Sequence, residues 1–167
     1  MKTLTLIRHA KSSWKYPDLA DYDRPLNKRG RRDAAMMAER LNVRGFSPQR
    51  ILTSPAVRAL RTAEAMAAAI DLSTQQIEIT PLIYGGGVQD LLQLIREQAP
   101  DESWIALVGH NPEFTMLARL LSGRSIENVP TCGVVESQFE TDRWQQVGAD
   151  GATASRFCFD FPKKQAS

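Results

Sequence analysis

Leu4-Thr5-Leu6-Ile7-Arg8-His9-Ala10-Lys11-Ser12 is the stretch on which the reading of this chain turns. Its apolar, β-branched run breaks into a basic, polar turn. That pattern predicts a buried strand whose carboxyl end delivers Arg8 and His9 into a loop. Ligands of open α/β sheets bind at such strand ends. An imidazole beside a guanidinium at that point suggests a nucleophile held against an anion. The bland alternative is a strand that stops in two polar residues, and this stretch alone does not choose between them.

A second strand end repeats the logic. Ser103 to Val108 is an apolar run that stops at Gly109-His110-Asn111-Pro112, and His110 is the only other histidine in the chain. Between the two, Arg50-Ile51-Leu52-Thr53 reads as a short strand. Ser54 is expected to cap the next helix, with Pro55 at its first position. Ala59, Leu60, Ala63, Met66, Ala67 and Ile70 recur at three- and four-residue steps and make that helix's inward face. Arg58 lies in its first turn, near the loop end of the sheet. If the strands are parallel neighbours, Arg8, His9, Arg58 and His110 surround one pocket.

Strand–helix alternation fills in the rest as an α/β domain. A polar loop over residues 10–26 carries Asp18, Asp21, Asp23 and Arg24, and loops of that length are more often functional than idle. Asn27 is expected to cap a helix running to about Arg44, with Met37 and Leu41 inward and Gly45 as its stop. Gln76 to Thr80 reads as a strand. Gly85-Gly86-Gly87 is a lid or turn rather than a nucleotide loop, since no Gly-Lys-Ser/Thr follows. Val88, Leu91, Leu92 and Ile95 give a helix face, and a further helix runs from Pro112 to Gly123. Val134 to Phe139 and Trp144 to Val147 read as strands flanking a turn, and Phe157, Phe159 and Phe161 alternate along a last strand. Residues 163–167 are expected to be a disordered tail.

At 167 residues the chain fits one domain with a real core. No apolar run is long enough to span a membrane, and Met1-Lys2-Thr3-Leu4 has no signal-peptide layout, so a cytoplasmic location is the default expectation. Cys132 and Cys158 make no C-x-x-C or zinc spacing and read as small buried hydrophobes. The net charge of +2 hides an asymmetry: residues 1–61 carry fourteen Lys/Arg against five Asp/Glu, and the remainder is acidic. A basic half draws anions. Lys28, Arg29, Arg31 and Arg32 are explained as the solvated start of a helix. Arg8 and Arg58, beside apolar segments, are not so easily explained.

Two guanidiniums can hold a phosphoryl group through bidentate bonds, and phosphoryl transfer asks the protein for positioning and charge compensation. A neutral His9 could attack phosphorus in line, provided its other ring nitrogen met a backbone carbonyl. A protonated His110 would add a third cation. Competing chemistries fare worse. A cysteine phosphatase needs Arg six residues after its Cys, where Gln138 and Lys164 stand. No Gly-x-Ser-x-Gly is present, and two histidines are too few for a two-metal phosphatase. Asp21-Tyr22-Asp23 follows no apolar strand and has Pro25 where an aspartyl phosphatase wants Thr or Val.

Three blocks together carry a resemblance: Leu6-Ile7-Arg8-His9-Ala10-Lys11-Ser12, Thr53-Ser54-Pro55-Ala56-Val57-Arg58-Ala59-Leu60-Arg61-Thr62-Ala63 and Val108-Gly109-His110-Asn111-Pro112. They resemble the signature blocks of the histidine phosphatase superfamily, the phosphoglycerate-mutase-like fold. Arg-His-Ala-Lys-Ser-Ser-Trp and Asp23-Arg24-Pro25-Leu26-Asn27-Lys28-Arg29-Gly30 are similar to its SixA-type phosphohistidine phosphatase branch. The resemblance implies a three-layer α/β/α sandwich with a mostly parallel central sheet, in one domain over residues 1–162. It implies His9 as the phosphorylated nucleophile, with Arg8, Arg58 and His110 as the phosphate pocket and no metal or cofactor. Arg24, Lys11 and Ser12, in matching blocks, are further candidates to touch substrate. Relatives acting on alcohol phosphates usually carry an acidic proton donor near Pro81 to Gly87, and here the nearest carboxylates are Glu78 and Asp90. Either Asp18, Asp21 or Asp23 takes that part, or the substrate scarcely needs it.

The leading expectation is a metal-independent phosphatase acting on phosphohistidine in a protein, such as a phosphorelay histidine domain. A phosphomonoesterase for a small metabolite and a non-catalytic phosphate-binding module are the alternatives. Nucleic acid is a distant third as a ligand, because the basic residues are not interleaved with aromatics and the second half is acidic. A membrane partner is not expected.

Overall fold

The computed structural model describes residues 1–164. Its centre is β1 (Lys2–Arg8), buried along almost its whole length. It pairs in parallel with β4 (Trp104–Gly109) on one side, with Arg8 opposite Gly109, and antiparallel with β5 (Val134–Phe139) on the other. β2 (Arg50–Thr53) lies in parallel against β4, and the short β3 (Ile77–Ile79) in parallel against β2. β6 (Arg156–Asp160) closes the far edge antiparallel to β5. The order is therefore β3-β2-β4-β1-β5-β6. β4 reads as an unbroken apolar run, and Thr3 and Thr5 of β1 are buried along with its apolar residues, because both faces of the two strands are covered.

One face packs against α1 (Lys28–Val43) and α2 (Val57–Ala69), burying Ile7, Ile51, Ala106 and Val108 with Met37, Leu41, Ala59, Ala63 and Met66. The other face buries Leu4, Leu6, Leu107 and Val135 against α4 (Val88–Arg96) and α5 (Glu113–Ser122). A four-residue α3 (Leu82–Gly85) precedes α4. The fold is thus the expected α/β/α sandwich with a mostly parallel sheet. Asn27 caps α1 as its sequence predicts, its Oδ1 accepting from Gly30 N at 2.7 Å, and Gly45 ends it with φ 86°.

Four expectations are corrected. Trp144 to Val147 is no strand: Trp144 turns into the core within a 3-10 turn, Trp144–Gln146, and its Nε1 donates to Glu102 O at 2.7 Å. Burying the indole and satisfying its N–H outweighs local β preference. The helix expected to begin at Pro55 begins at Val57, because Ala56 is extended. Gln76 to Thr80 shortens to three residues of strand. Cys158 is only half-buried and takes a hydrogen bond from Arg44 Nη2 at 2.6 Å, whereas Cys132 is buried as expected. Of the expected tail, Lys164 N bonds back to Phe161 O at 3.0 Å, and residues 165–167 lie outside the described residues.

Candidate active site

Parallel pairing of β1 with β4 puts the two histidines on one rim. The rings of His9 and His110 lie 5.1 Å apart, centroid to centroid. His9 is held by three neighbours at once. Its N–H donates to Gly109 O at 3.0 Å, its carbonyl accepts from Cys132 N at 3.1 Å, and its Nδ1 meets Ala10 O at 2.8 Å. A carbonyl only accepts, so Nδ1 carries the proton. The lone pair is left on Nε2, at the opposite edge of the ring. Burial, together with the charges of Arg58 and Arg8 and the nearby His110, pushes the His9 pKa down to about 3, against the help of the Ala10 carbonyl. At neutral pH His9 is therefore a neutral, oriented imidazole.

Gly109 sets His110 in place, since a Cβ there would stand 2.6 Å from Ile83 and from Phe114. His110 Nε2 lies 2.8 Å from Ser54 Oγ, which itself accepts from Ala56 N at 3.1 Å. Ser54 thus serves a turn and a histidine rather than a helix end. The His110 ring also sits 5.6 Å from that of Tyr84, edge on. Burial and then Arg58 lower its pKa to about 4. The expected third cation is therefore a neutral imidazole while the pocket holds no anion.

Arg8 Nη1 donates to Val129 O at 3.0 Å, and its buried Nε has no hydrogen-bond partner among the described residues. Burial lowers its pKa, although a guanidinium stays charged. Arg58, in the first turn of α2, is buried, and its two terminal nitrogens both point at Asp21: Nη1 to the carbonyl at 2.7 Å and Nη2 to Oδ2 at 2.9 Å. Asp21 Oδ1 also takes Arg24 Nη1 at 3.0 Å, and Oδ2 takes the Tyr84 hydroxyl at 3.0 Å. Partial burial opposes ionisation of Asp21, but the bonds from Arg58, Arg24 and Tyr84 prevail and hold its pKa at about 2. Asp21 is an anion throughout the ordinary pH range and no reservoir of protons. Glu78 pairs with Arg50, and Asp90 accepts from Gly87 N at the start of α4.

Of the sequence candidates, Arg8, His9, Arg58 and His110 come together. Arg24 lies one contact away and is employed inside the loop. Its Nε donates to Ser13 O and its Nη2 to Ser12 Oγ, and its guanidinium stacks 3.3 Å from the Trp14 ring. Ser12 bridges to Leu26 and so joins the loop's two arms. Lys11 contributes its backbone carbonyl to Asn27 N, and its ammonium has no partner among the described residues. Sequence reasoning missed the tie of Ser54 to His110 and missed Tyr84 altogether, and it offered Asp21 only as a candidate proton donor, because each acts through a contact distant in sequence. Cys132 is in the left-handed region, φ 59°, beside His9, and burial pushes its thiol up to about 12, which leaves it inert. No group of three or more His, Cys, Asp or Glu among the described residues is arranged to hold a metal ion.

A neutral nucleophile, a second imidazole and two guanidiniums can together accept and stabilise a transferring phosphoryl group. Comparison with known proteins agrees with that chemistry. Residues 4–82 match the model of the histidine phosphatase superfamily, branch 1. The chain is 36% identical over 156 residues to an uncharacterized chloroplastic protein of Arabidopsis thaliana, covering 89% of this chain and 71% of that one. SixA of Agrobacterium tumefaciens superposes with a TM-score of 0.75 at 29% identity, over 81% of this chain and 90% of its own. The protein histidine phosphatase SixA complexed with tungstate superposes with a TM-score of 0.73 over 96% of this chain and 97% of its own; at 21% identity it speaks to the fold alone. The chain belongs to the histidine phosphatase superfamily and is a phosphatase of its SixA-type group.

Proposed function

We propose that this phosphatase takes its phosphoryl group from phosphohistidine in a protein, through a phosphohistidine intermediate on His9 and without a metal ion. One observation carries the reading: His9 presents a bare Nε2 lone pair, while the carboxylate nearest the pocket, Asp21, is held ionised at about 2. A nucleophile is ready and a carboxylic acid is not. Alkoxide leaving groups need an acid to protonate them. A phosphorylated imidazole does not, if its second ring nitrogen already carries a proton.

In the first step Nε2 of His9 bonds to phosphorus as the bond from phosphorus to the substrate nitrogen breaks. The electron pair of that bond goes to the leaving ring, which departs as neutral imidazole. His9 then carries positive charge, and Ala10 O accepts from its Nδ1–H at 2.8 Å and stabilises it. Arg8 and Arg58 compensate the phosphoryl oxygens. The bound anion raises the pKa of His110, so that it gains its proton when it is needed. Water then attacks phosphorus, the bond to Nε2 breaks, the lone pair returns to His9, and the water proton leaves with phosphate or solvent.

The test is to incubate the protein, in chelator, with a phosphorylated histidine domain and separately with an alkyl phosphate. Loss of label from the histidine domain, little turnover of the alkyl phosphate, and acid-labile, base-stable phosphate trapped on His9 are expected. Rapid alkyl phosphate hydrolysis with an untouched histidine domain would assign the enzyme to small metabolites. Binding without any turnover would make it a phosphate-docking module.

A further inference from the structure

More than half of the exposed large apolar side chains among the described residues fall in two short segments. Trp14, Tyr16, Leu19 and Tyr22 stand on the loop before α1, and Leu82 and Tyr84 on α3. Trp14 is 74% exposed and Tyr16 51%. Apolar area gathered in one place on a folded surface marks a site of contact, whereas the same residues scattered singly would need no explanation.

The two segments form one surface, and that surface edges the active site. The rings of Tyr22 and Tyr84 meet edge to face at 5.3 Å. Tyr84 bonds Asp21, which holds Arg58, and its ring lies 5.6 Å from that of His110. On the other arm, Trp14 covers the guanidinium of Arg24, which reaches the same Asp21. Whatever covers these side chains is therefore continuous with whatever places its phosphoryl group between Arg8, Arg58 and the two histidines. Aromatic residues and arginine packed together are the composition of an interface centre. Charge points the same way at one end of the arm: Lys11 and Lys15 flank Trp14, whereas Asp18 stands further along and Asp21 is already paired with Arg58 and Arg24.

We propose that the arm from Trp14 to Tyr22 and the α3 turn form a docking collar for the polypeptide that bears the phosphohistidine. The proposal rests on the function assigned above and adds the surface that recognises the substrate. The partner's matching face carries apolar side chains around the modified histidine, with acidic residues toward Lys11 and Lys15. The pocket reads the phosphoryl group and the collar reads the protein around it. A metabolite held by the pocket alone would leave Tyr16 and Leu19 uncovered.

The experiment compares two substrates, an isolated histidine phosphotransfer domain phosphorylated on its histidine and phosphoimidazole, on the parent and on the Tyr16→Ser/Leu19→Ser variant. A separate Leu82→Ser variant samples the other segment, and melting temperatures confirm folding. Expected is a fall of tenfold or more in kcat/KM on the phosphorylated domain, carried by KM, with phosphoimidazole turnover unchanged within about twofold, as for loss of a few interface contacts. Unchanged constants on the domain, or equal falls on both substrates, overturn the collar while leaving the phosphohistidine chemistry in place. A parent that hydrolyses phosphoimidazole and ignores the domain also overturns it. A parent dimer dissolved by the double variant in sedimentation would assign the collar to a second copy of the chain. A parent inert toward phosphoimidazole and the domain alike fails the function itself, and the collar with it.

Discussion

Asp21 and Arg58 are locked together: the arginine gives one terminal nitrogen to the Asp21 carbonyl at 2.7 Å and the other to its carboxylate at 2.9 Å. The cation expected to grip substrate already holds an anion of the protein's own. An incoming phosphoryl group must share that guanidinium or displace Asp21 from it. Asp21→Asn removes the competing charge, so tungstate or orthophosphate should inhibit the variant more tightly, by about threefold to tenfold at low ionic strength. The gain should shrink as salt is added. Inhibition constants equal to the parent's would show that Asp21 does not contend for Arg58.

His9, the proposed nucleophile, is deprotonated well below neutrality, because burial and the neighbouring charges hold it at about 3. Since kcat/KM reports the free enzyme, it should show no ascending limb from His9 between pH 5 and 7, once ionisation of the substrate is allowed for. Activity lost to protonation of His9 should appear only as pH drops toward 4 and below. His9→Ala should remove turnover by a factor of about a thousand or more while leaving the melting temperature close to the parent's. An ascending limb centred near the ordinary histidine value of about 6.5 would contradict this placement.

Two buried neutral histidines also tie stability to pH. Both fold with pKa values, about 3 and about 4, below the ordinary value near 6.5 that they regain on unfolding. The unfolded chain thus takes up protons first as pH falls. Their contribution to stability is complete above 6.5 and is lost as pH falls from there toward the folded values. At pH 5 the loss should be roughly 2 kcal/mol per histidine relative to pH 7. Urea unfolding at both pH values measures it, and a His9→Gln/His110→Gln variant should lose most of the difference. A variant with the parent's full dependence would place the titration elsewhere; Asp21, held at about 2, titrates below this window.

Ser54 fixes His110 through a bond of 2.8 Å. Ser54→Ala deletes that bond and the turn bond from Ala56 N at once. A net hydrogen bond is worth about 1 kcal/mol, so kcat should fall about fivefold to tenfold, with KM for a phosphorylated substrate changing less. Ser54→Thr keeps the hydroxyl and should recover most of the rate. If both variants matched the parent, His110 would owe its position to packing alone.

Much of this site was legible before any coordinates, for a physical reason. Arg8, His9 and His110 follow runs that must be buried, and the end of a buried strand in an α/β sheet is a place with few alternatives. Arg58 was legible because Ala59, Ala63 and Met66 fix which way α2 faces. The contacts of Asp21 with Arg58 and Tyr84 were not, since they join residues thirty-seven and sixty-three positions apart and leave no periodic trace. Ser54 misled for a related reason. Ser-Pro is the same local signal whether the hydroxyl serves a helix end or, as here, a turn and a distant imidazole. Trp144 looked like strand because indole suits a pleated surface, and its burial beside α4 is decided by the core.

The backbone of His9 is bonded to β4 through Gly109 O and to the segment leading into β5 through Cys132 N. The proposed reactive ring is thus mounted at the centre of the sheet, bonded on both sides, and the loop proposed to meet the substrate stands on the exposed rim. Its amide should be among the last to exchange with deuterium, long after those of residues 14–22 have done so. The consequence is a division of labour: if the rim greets the partner as proposed, its side chains can be exchanged without disturbing the aim of the imidazole behind it.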